Sequence, residues 1–443
     1  MSFIKWLYPG MRIKRWLGLL TLGLVLVSLG LAYLLVQAYR TQPFPGYVAS
    51  LTLQFIDRPI RGAIFVACGL GLLVVAFWRL NESLLSAVMP NGRGSNLVEM
   101  VYNHRHRQRG PKIVAIGGGT GLSTLLRGLK EYTTNIAAIV TVADDGGSSG
   151  RLRRELGVLP PGDFRNCIVA LADAEPLMTK LFQYRFSEGS GLDGHSFGNL
   201  FIVAMSGITG NFEQAIRESS RVLAVRGQIL PSTLENLTLC AQLVDEATVE
   251  GESNISKSSQ PIKRVYLEPE HPAAYPEAIR AILDADMVVV GPGSLYTSVL
   301  PNLLVEDLAR ALAGSRALKV YVCNVATQRG ETDNFMVQDH MRALLRHLPE
   351  NPFHFVVAND RLGAELPPQW RVSQVAYRGD GSDIEGTEVV QADVIDSRNP
   401  LRHDPKKLAQ ALMRLYYDKA DVVSQPPATN GGHSESDVTA ESA

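Results

Sequence analysis

Two long apolar stretches separate the first hundred residues from the rest of the chain. Residues 16–39 carry no charged side chain, and residues 60–78 carry only Arg61, which lies near one end, where it can reach the membrane surface. A helix needs about 20 predominantly apolar residues to cross a bilayer. The pattern therefore predicts a transmembrane helical hairpin within residues 1–80.

Basic residues around these stretches predict their orientation. Lysines and arginines precede the first stretch and follow the second, whereas the segment between them carries only Arg40, Arg58 and Arg61. Because cytoplasmic flanks of membrane helices are enriched in Lys and Arg, we expect both ends of the hairpin in the cytoplasm. A secretory signal is the alternative, but the first stretch is longer than such signals and no small-residue cleavage site follows it. The lipid bilayer is thus an expected partner.

Polar segments flank a large central region. Residues 81–110 are basic and polar, which is typical of a juxtamembrane linker that touches anionic headgroups. Residues 416–443 hold Pro, Ser, Gly and acidic residues with few bulky apolar ones, so we expect a disordered tail. No internal repeat is evident. Residues 111–415 are therefore predicted to form one soluble domain on the cytoplasmic side.

Within this domain, apolar strands alternate with helices. Apolar runs without polar alternation, as expected of strands buried on both faces of a parallel sheet, occur at residues 112–116, 136–143, 286–290, 318–323 and 353–358. Residues 237–267 instead show short alternating strands, interrupted by a polar loop at 251–260. The prediction is an α/β fold: a Rossmann-like, mostly parallel sheet with helices on both faces and a small β-rich sublobe.

A run of glycines ends the first predicted strand, as Gly117, Gly118, Gly119, Thr120 and Gly121. Glycine lets the backbone adopt positive φ and lets an anion approach the free N–H groups of the following helix. The run matches the dinucleotide fingerprint GxGxxG only in part, because its last glycine comes one position early. The missing Lys-Ser/Thr pair excludes a Walker loop, and an ordinary strand-to-helix turn is the alternative.

A second glycine turn follows a later strand and adds Gly291, Gly293, Ser294 and Thr297 to the candidate phosphate-binding residues. Asn324 follows the next strand. Ligands of open α/β sheets bind outside the carboxyl ends of the strands. We therefore expect these loops to meet at one crevice.

Two adjacent carboxylates, Asp144 and Asp145, follow the second strand. A carboxylate there holds a ribose hydroxyl in dinucleotide folds, and a pair of carboxylates can bind Mg²⁺ through water. They are therefore candidate metal ligands, although Asp and Gly are also common turn formers. The same loop supplies further candidate ligand-binding residues: Gly146, Ser148, Ser149 and Arg151.

Two later segments add polar candidates. Asp163 is placed as a helix N-cap, and beside it Arg165, followed by Asn166, is available for a phosphate or carboxylate. His195 precedes a glycine-rich helix start that contains Asn199, and its ring could donate to a phosphate or act as an acid or base. Capping and a structural histidine are the alternatives. The candidate catalytic residues are Asp144, Asp145, Asp163 and His195, but the residues alone do not establish catalysis.

Charge and cysteine content narrow the function classes. The chain has 43 Lys and Arg against 44 Asp and Glu, a formal net charge of −1, so it has no general field for nucleic acid and none is predicted as a partner. Its four cysteines, Cys68, Cys167, Cys240 and Cys323, form no CxxC pair. This spacing argues against a disulfide framework or a zinc site and fits the reducing cytosol.

Six motifs occur in order along residues 112–350: GGGTG, ADDGGSSGRLR, PPGDFRN, DGHSFGN, RGQILPST and GPGSLYTSVLPNLL. This set resembles the gluconeogenesis-factor family, the CofD-like proteins. The resemblance implies a Rossmann-like core that binds a nucleotide or nucleotide sugar, with UDP-N-acetylglucosamine as the leading ligand of the regulatory branch. That branch supports growth on gluconeogenic carbon and normal cell shape by linking precursor supply to peptidoglycan synthesis, whose proteins are expected partners.

The other branch of the family is an enzyme, 2-phospho-L-lactate transferase. It moves a phospholactyl group from a nucleotide diphosphate carrier to a deazaflavin alcohol and uses Mg²⁺. The resemblance places Gly118 to Gly121, Ser294 and the Gly291–Gly293 turn near phosphates, and it places around the group beyond them Asp144, Asp145, Asp163, Arg165, His195 and Asn199. A homo-oligomer in the bacterial inner membrane is expected as well.

Two hypotheses follow from these residues. The favoured one is a membrane-anchored, nucleotide-sugar-binding regulator without turnover, because no activated nucleophile is evident. The alternative is a Mg²⁺-dependent transferase of a substituted phosphate group, which paired carboxylates beside a phosphate cradle would suit. An NAD-linked oxidoreductase lacks a hydride-transfer constellation. A tubulin-like GTPase shares GGGTG, but its signature continues to another glycine where this chain has Leu122 and Ser123.

Overall fold

The computed structural model describes residues 13–41, 46, 53, 55–88, 107–173, 176–187, 191–258, 260–363, 366, 368–379, 384 and 386–423. The chain divides into two compact units, Met1–His106 and Arg107–Ala443.

The first unit contains two long helices, α1 (Ile13–Thr41) and α2 (Arg58–Val88). Among the described residues, α2 alone has a stretch long and apolar enough to cross a membrane, the 18 residues Pro59–Ala76, of which none is buried. The apolar stretch of α1, Thr21–Ala32, is shorter. The two-span hairpin therefore stays a prediction. Because α2 continues to Val88, residues 81–88 belong to a helix and not to the predicted linker.

The second unit is built on strands whose apolar residues are shielded on both faces. They are β1 (Ile113–Gly117), β2 (Ile136–Val140), β3 (Gln228–Pro231), β4 (Thr238–Leu243), β5 (Thr248–Glu250), β6 (Ile262–Glu268), β7 (Met287–Val290), β8 (Leu318–Val322), β9 (Phe355–Asn359) and β10 (Glu388–Ala392). Every residue of β1, β7, β8 and β9 is buried. The continuous apolar runs of the sequence are thus the centre of the sheet.

Seven of these strands form one sheet in the order β10-β9-β8-β7-β1-β2-β3, and every pairing in it is parallel. The chain runs outward from β1 to β3, returns to the other side of β1, and runs outward again from β7 to β10. The direction of strand order therefore reverses between β1 and β7. In open α/β sheets, the crevice at such a switch point is where ligands bind.

Helices cover the sheet. They are α3 (Gly119–Leu129), α4 (Gly147–Leu156), α5 (Gly162–Leu171), α6 (Pro176–Gln183), α7 (Phe197–Thr209), α8 (Phe212–Val222), α9 (Glu252–Ile255), α10 (Pro276–Leu283), α11 (Leu300–Leu303), α12 (Glu306–Gly314), α13 (Val337–Leu345) and α14 (Pro405–Val423). Leu295–Val299 forms a π-helical turn and Pro368–Trp370 a 3₁₀ turn. Right-handed crossovers that progress in opposite directions from β1 place helices on opposite faces. The predicted α/β, Rossmann-like architecture is confirmed.

The predicted β-rich sublobe is a separate antiparallel sheet in the order β5-β4-β6. The short helix α9 lies between β5 and β6 in the sequence, inside the segment 251–260 that was predicted to be a polar loop. Its first residue, Glu252, is the one that matters for the site.

Three predicted boundaries are wrong. The acidic and glycine-rich loop after β2 is shorter than predicted, because α4 already begins at Gly147. Helix α5 begins at Gly162, so Asp163 lies in its first turn and not at the N-cap. Helix α14 continues to Val423 with Leu408 and Leu412 fully buried, so residues 416–423 are helical and not part of the predicted tail. Residues 424–443 lie outside the described residues.

The end of the predicted linker also belongs to the second unit. The Arg107 guanidinium forms an ion pair with Glu131 at 2.8 Å, and the Arg107 carbonyl accepts a hydrogen bond from the Thr134 N–H. Arg105, a further basic residue of this segment, lies outside the described residues.

Candidate functional site

A cavity of about 560 Å³ lies at the switch point between β1 and β7. Its walls are the glycine loops after β1 and β7, residues 324–331 after β8, and residues 401–403 before α14. These segments are distant in sequence but meet here, because the carboxyl ends of parallel strands share one edge of the sheet. The volume lies within the range of small-molecule sites.

Close backbone approaches explain the glycines of the β1 loop. A Cβ on Gly118 would lie 2.7 Å from a carboxylate oxygen of Asp163, and a Cβ on Gly121 would lie 2.3 Å from the Pro292 carbonyl oxygen. Gly119 has a φ of +64°, in the left-handed region that favours glycine. The two glycine loops therefore pack against each other with no room for side chains.

Helix α3 begins in this loop, and its N-terminal residues line the cavity. Its N-cap is Gly118, which has no side chain to cap the first N–H groups. The Gly119 N–H donates to the Asp163 carboxylate, whereas Thr120 and Gly121 line the cavity. The helix end thus offers backbone donors and the positive end of its dipole to an anion.

Side-chain amides fix the opposite wall. Asn324 donates from Nδ2 to the Gly293 carbonyl at 2.9 Å and accepts from the Gly293 N–H at 3.3 Å. Gln328 donates from Nε2 to Ser294 Oγ at 2.6 Å. The loops after β7 and β8 are therefore held together before any ligand binds.

Two guanidinium groups, of Arg329 and Arg402, lie in the cavity wall. Both residues are exposed, and neither side chain forms a hydrogen bond or ion pair within the part of the chain that the structure describes. Unpaired guanidinium groups beside a helix N-terminus suit phosphate oxygens, which they bind with two parallel N–H donors.

Carboxylates crowd another side of the cavity. Glu252 lines it, and a Cβ on Gly146 would lie 3.8 Å from Glu252 Oε2 and 3.5 Å from Asp144 Oδ1. Burial, and then the charges of Asp144 and Asp145, raise the pKa of Glu252 to about 8. Burial also raises the pKa of Asp144, against the hydrogen bonds from Gly146 and Ser149 that favour its charged form.

Asp163 joins this acidic group to the glycine loop. Burial, and then the charge of Asp144, raise the pKa of Asp163 to about 7, although the Gly119 N–H and Arg165 favour its charged form. The group therefore changes charge near neutral pH while it contacts Gly118 and Gly119.

Glu331 is a buried carboxyl in the cavity wall, with 7% of its surface exposed. Its Oε1 accepts a hydrogen bond from Thr297 Oγ1 at 3.2 Å, and its buried Oε2 has no partner among the described residues. Burial raises the pKa of Glu331 to about 7.

The candidate His195 forms a buried network away from the cavity. Its Nδ1 is hydrogen-bonded to Ser148 Oγ at 2.9 Å, and Ser148 Oγ also accepts from Asn199 Nδ2 at 3.1 Å. Burial, followed by the Arg151 charge, lowers the pKa of His195. All three residues are buried and none lines the cavity. The network ties α4 to α7.

Arg165 is also engaged within the protein. Its Nη1 donates to Ser196 Oγ at 2.6 Å and its Nη2 to Asn166 Oδ1 at 2.9 Å. Arg151 donates to the Asp193 carbonyl at 2.6 Å. These hydrogen bonds organise the segment before α7, whereas Arg165 Nε is buried without a partner among the described residues.

The structure divides the predicted site residues into two sets. Those that line the cavity are Gly118, Gly119, Thr120, Gly121, Gly293, Ser294 and Asn324. Gly117 and Gly291 face each other behind these loops, and Thr297 contacts the lining residue Glu331. Those outside the lining are Gly117, Gly291 and Thr297 together with Asp144, Asp145, Gly146, Ser148, Ser149, Arg151, Asp163, Arg165, Asn166, His195 and Asn199. For every member of both sets, a role in ligand binding stays a prediction.

Sequence reasoning missed four charged lining residues: Glu252, Arg329, Glu331 and Arg402. Two of them could have been found from the sequence, because Arg329 and Glu331 continue the polar segment that follows β8. Glu252 and Arg402 come from the sublobe and from the segment before α14. Neither follows a strand of the main sheet, so the rule that placed the other residues does not reach them.

The residues fit Mg²⁺ only in part. Mg²⁺ prefers oxygen ligands and is commonly bound by one or two carboxylates together with ligand phosphates. No group of three His, Cys, Asp or Glu side chains converges on one point among the described residues. Asp145 Oδ1 already accepts from the Ser253 N–H at 2.8 Å. The donor set therefore suits only an ion that a phosphate ligand would also hold, and Asp144 and Asp145 stay the candidate protein ligands.

The fold and the cavity define a class: a doubly wound α/β protein with an anion-receptive cavity at the switch point of its parallel sheet. A family model described as 2-phospho-L-lactate transferase CofD matches residues 113–397. The chain therefore belongs to the CofD family, as the six sequence motifs predicted.

Similar proteins come in two lengths. A protein of Nostoc sp. (strain PCC 7120), whose name refers to a gluconeogenesis factor, is 48% identical over 94% of this chain and 93% of its own length. The Gluconeogenesis factor of Bacillus subtilis is 47% identical over 69% of this chain and 98% of its own length. A crystal structure of a UPF0052 family protein of Bacillus halodurans has a TM-score of 0.65 and 43% identity, covering 69% of this chain and 99% of that one.

Proposed function

We propose that this chain is a membrane-anchored gluconeogenesis factor that binds a nucleotide sugar, such as UDP-N-acetylglucosamine, and acts as a regulator. In this role it supports growth on gluconeogenic carbon, normal cell shape and the balance of peptidoglycan precursors, through contacts with proteins of peptidoglycan synthesis. The names of the similar proteins support the gluconeogenic part. The observation that carries the proposal is the meeting of two glycine loops and the α3 N-terminus in one cavity.

The chemistry of the lining favours a diphosphate with a polar substituent. Thr120, Gly121, Arg329 and Arg402 line the cavity, and backbone N–H donors and guanidinium groups complement phosphate oxygens. The carboxyl of Glu252, which also lines the cavity, can accept hydrogen bonds, as sugar hydroxyls require. One cavity therefore offers donors for phosphates and acceptors for a sugar.

Binding without turnover is favoured because no activated nucleophile lines the described cavity. The hydrogen-bonded pair of Ser148 and His195 has the right chemistry for one, but both residues are buried outside the lining. The membrane anchor is supported by α2, whose apolar stretch Pro59–Ala76 has no buried residue, unlike the core helix of a soluble protein.

Ligand-induced stabilisation tests the proposal. We expect millimolar UDP-N-acetylglucosamine to raise the unfolding temperature of the full-length protein in detergent, because a ligand that binds only the folded state stabilises it. The Arg329→Ala/Arg402→Ala double variant should lose at least tenfold in affinity with little change in stability without ligand. Arg316→Ala, at an exposed arginine outside the cavity, is the matched control. Equal affinity of the double variant and the wild type for the nucleotide sugar would refute the assignment of this cavity.

A second candidate function is a Mg²⁺-dependent transferase of the 2-phospho-L-lactate type. The carboxylates Asp144, Asp145 and Glu252 beside the phosphate cradle favour it, since a metal ion there would neutralise charge that develops on a phosphate. The test is incubation of the purified protein and Mg²⁺ with a phospholactyl donor and a deazaflavin alcohol. Unchanged substrates after long incubation would remove this candidate, and product formation that Asp144→Asn abolishes would favour it over the regulator.

A further inference from the structure

A second, smaller cavity of about 280 Å³ lies next to the first and has a different lining. It is enclosed by Tyr296, by the segment from Gly330 to Phe335, and by the first residues of β6 together with one face of α13. Among the described residues, Glu331 alone lines both cavities. The smaller cavity has no part in the nucleotide-sugar proposal above.

The buried end of this cavity offers an unused hydrogen-bond acceptor. Glu331 is more than nine-tenths buried, and its Oε1 accepts from Thr297 Oγ1 while its Oε2 has no partner among the described residues. A buried polar atom without a partner destabilises the protein that contains it. A ligand group that donates a hydrogen bond, such as a hydroxyl or an amine, would satisfy it.

The lining also contains an arginine, Arg346, whose charge is not paired within the described residues. Arg342 and Arg346 lie one turn apart on the α13 face and its C-terminal continuation, and both are exposed. Arg342 already pairs with Asp339 at 2.8 Å, whereas the Arg346 side chain has no hydrogen bond or ion pair within the described residues. The charges of Arg346 and Glu331 act in opposite directions on the pKa of Tyr296, so both groups lie within electrostatic reach of one phenol.

The other two carboxylates of the lining, of Asp333 and Asp339, already accept hydrogen bonds from backbone N–H groups. Asp333 Oδ2 accepts from the Gly330 N–H at 2.7 Å, and Asp339 Oδ2 accepts from the Met336 N–H at 2.9 Å, where it caps α13. Among the charged lining groups, Glu331 Oε2 is the buried acceptor without a partner, and Arg346 is the cation without a partner, within the described residues.

We propose that the smaller cavity is a second ligand site, which takes a small hydroxylated anion: a phosphate or carboxylate compound that places its charge against Arg346 and a hydroxyl against Glu331 Oε2. The volume lies just below the usual range of sites for drug-sized ligands, so the cavity suits a molecule smaller than a nucleotide sugar. Tight binding here requires both the anionic group and the hydroxyl of the ligand. Either group alone would leave Arg346 or Glu331 Oε2 without a partner.

Titration calorimetry on the full-length protein in detergent tests this site. The probes are glycerol 3-phosphate and D-glycerate, with inorganic phosphate and glycerol as the two halves. We expect at least one hydroxylated anion to bind at least tenfold more tightly than either half. If glycerol 3-phosphate binds and D-glycerate does not, the site prefers a phosphate, and the reverse result assigns it to carboxylates. Absence of binding by both at millimolar concentration overturns the proposal.

Single substitutions then distinguish the two cavities. Arg346→Ala should weaken binding of the hydroxylated anion at least tenfold, and Glu331→Gln should reduce its advantage over inorganic phosphate. Arg402→Ala, which alters only the larger cavity, and Arg316→Ala, outside both, should leave it unchanged. Loss of binding in Arg402→Ala with retention in Arg346→Ala would place the probe in the larger cavity and overturn the proposal. Because Arg346 is exposed, its variant should fold even if Glu331→Gln does not.

Discussion

At the scale of single residues, the buried carboxyls predict how the stability of the folded protein depends on pH. Asp163, Glu252 and Glu331 all have pKa values raised to between about 7 and about 8, in each case mainly by burial. The folded protein therefore holds these protons at a pH where the unfolded chain has released them. Its stability is expected to fall as pH rises from about 4.5 to about 8, and to level off above that range.

Glu331→Gln isolates one of these groups. The amide keeps the hydrogen bond to Thr297 but does not ionise, so the variant should match the wild type near pH 5 and exceed it at pH 8. The gain should reach up to about 3 kcal/mol, the equivalent of the pKa rise from the usual range to about 7. Urea unfolding between pH 5 and pH 8 measures it, with Glu270→Gln at an exposed position as the control. A stability difference that is independent of pH would contradict the assignment of this titration to Glu331.

The contact between the two glycine loops makes a second prediction at this scale. Gly121→Ala places a methyl group 2.3 Å from the Pro292 carbonyl oxygen, so the loops must separate. We expect a loss of about 1–3 kcal/mol in the free energy of unfolding, together with weaker nucleotide binding. The matched control is Gly207→Ala in α7, where nothing lies within 4 Å of the new atom and helix propensity should give a gain of up to about 1 kcal/mol. Equal unfolding temperatures for the two variants would show that the loops are not in contact.

At the scale of elements, α14 closes the domain against α3. A Cβ on Gly128 of α3 would lie 1.9 Å from the Pro405 carbonyl oxygen and 2.8 Å from the Ala409 Cβ, so the two helices touch along their backbones. The segment just before α14 supplies Arg402 to the cavity. Packing of this terminal helix therefore also holds one wall of the site in place.

Leu412→Ala tests this packing. Leu412 is fully buried in α14, and its truncation should cost about 2–5 kcal/mol and weaken ligand binding through the displaced segment 401–403. Gln410→Ala, at an exposed position of the same helix, should change stability by less than about 0.5 kcal/mol. Denaturant unfolding of both variants checks the difference. Similar midpoints for the two would mean that α14 is only loosely attached.

The sequence predicts those elements whose pattern is set by local burial. The buried strands begin and end within three residues of the predicted apolar runs. The cavity is predictable only as far as its walls follow strands of the main sheet, as Gly118 and Ser294 do. The position of Glu252 in the cavity could not be predicted from the sequence. It depends on how the antiparallel sublobe packs against the loops after β1 and β2, which are distant in sequence.

At the scale of the whole molecule, the division into two units leads to a prediction about where the protein is found in the cell. We expect the full-length protein to remain in the membrane fraction after alkaline carbonate extraction, and a chain that lacks residues 1–106 to be soluble and folded. Reporter fusions at both termini should be cytoplasmic, because basic residues flank the hairpin on that side. Removal of residues 424–443 is the control and should not release the protein. Full-length protein in the soluble fraction would contradict the anchor.

The walls of the larger cavity also fix when the protein becomes able to bind during its synthesis. They extend in sequence from Gly118 to His403, across nearly all of the second unit. A ribosome must therefore release almost the whole chain before the site exists, whereas the hairpin at residues 1–80 emerges first. The proposed ligand can therefore stabilise only molecules whose second unit is almost complete, and partly synthesised chains do not compete for it.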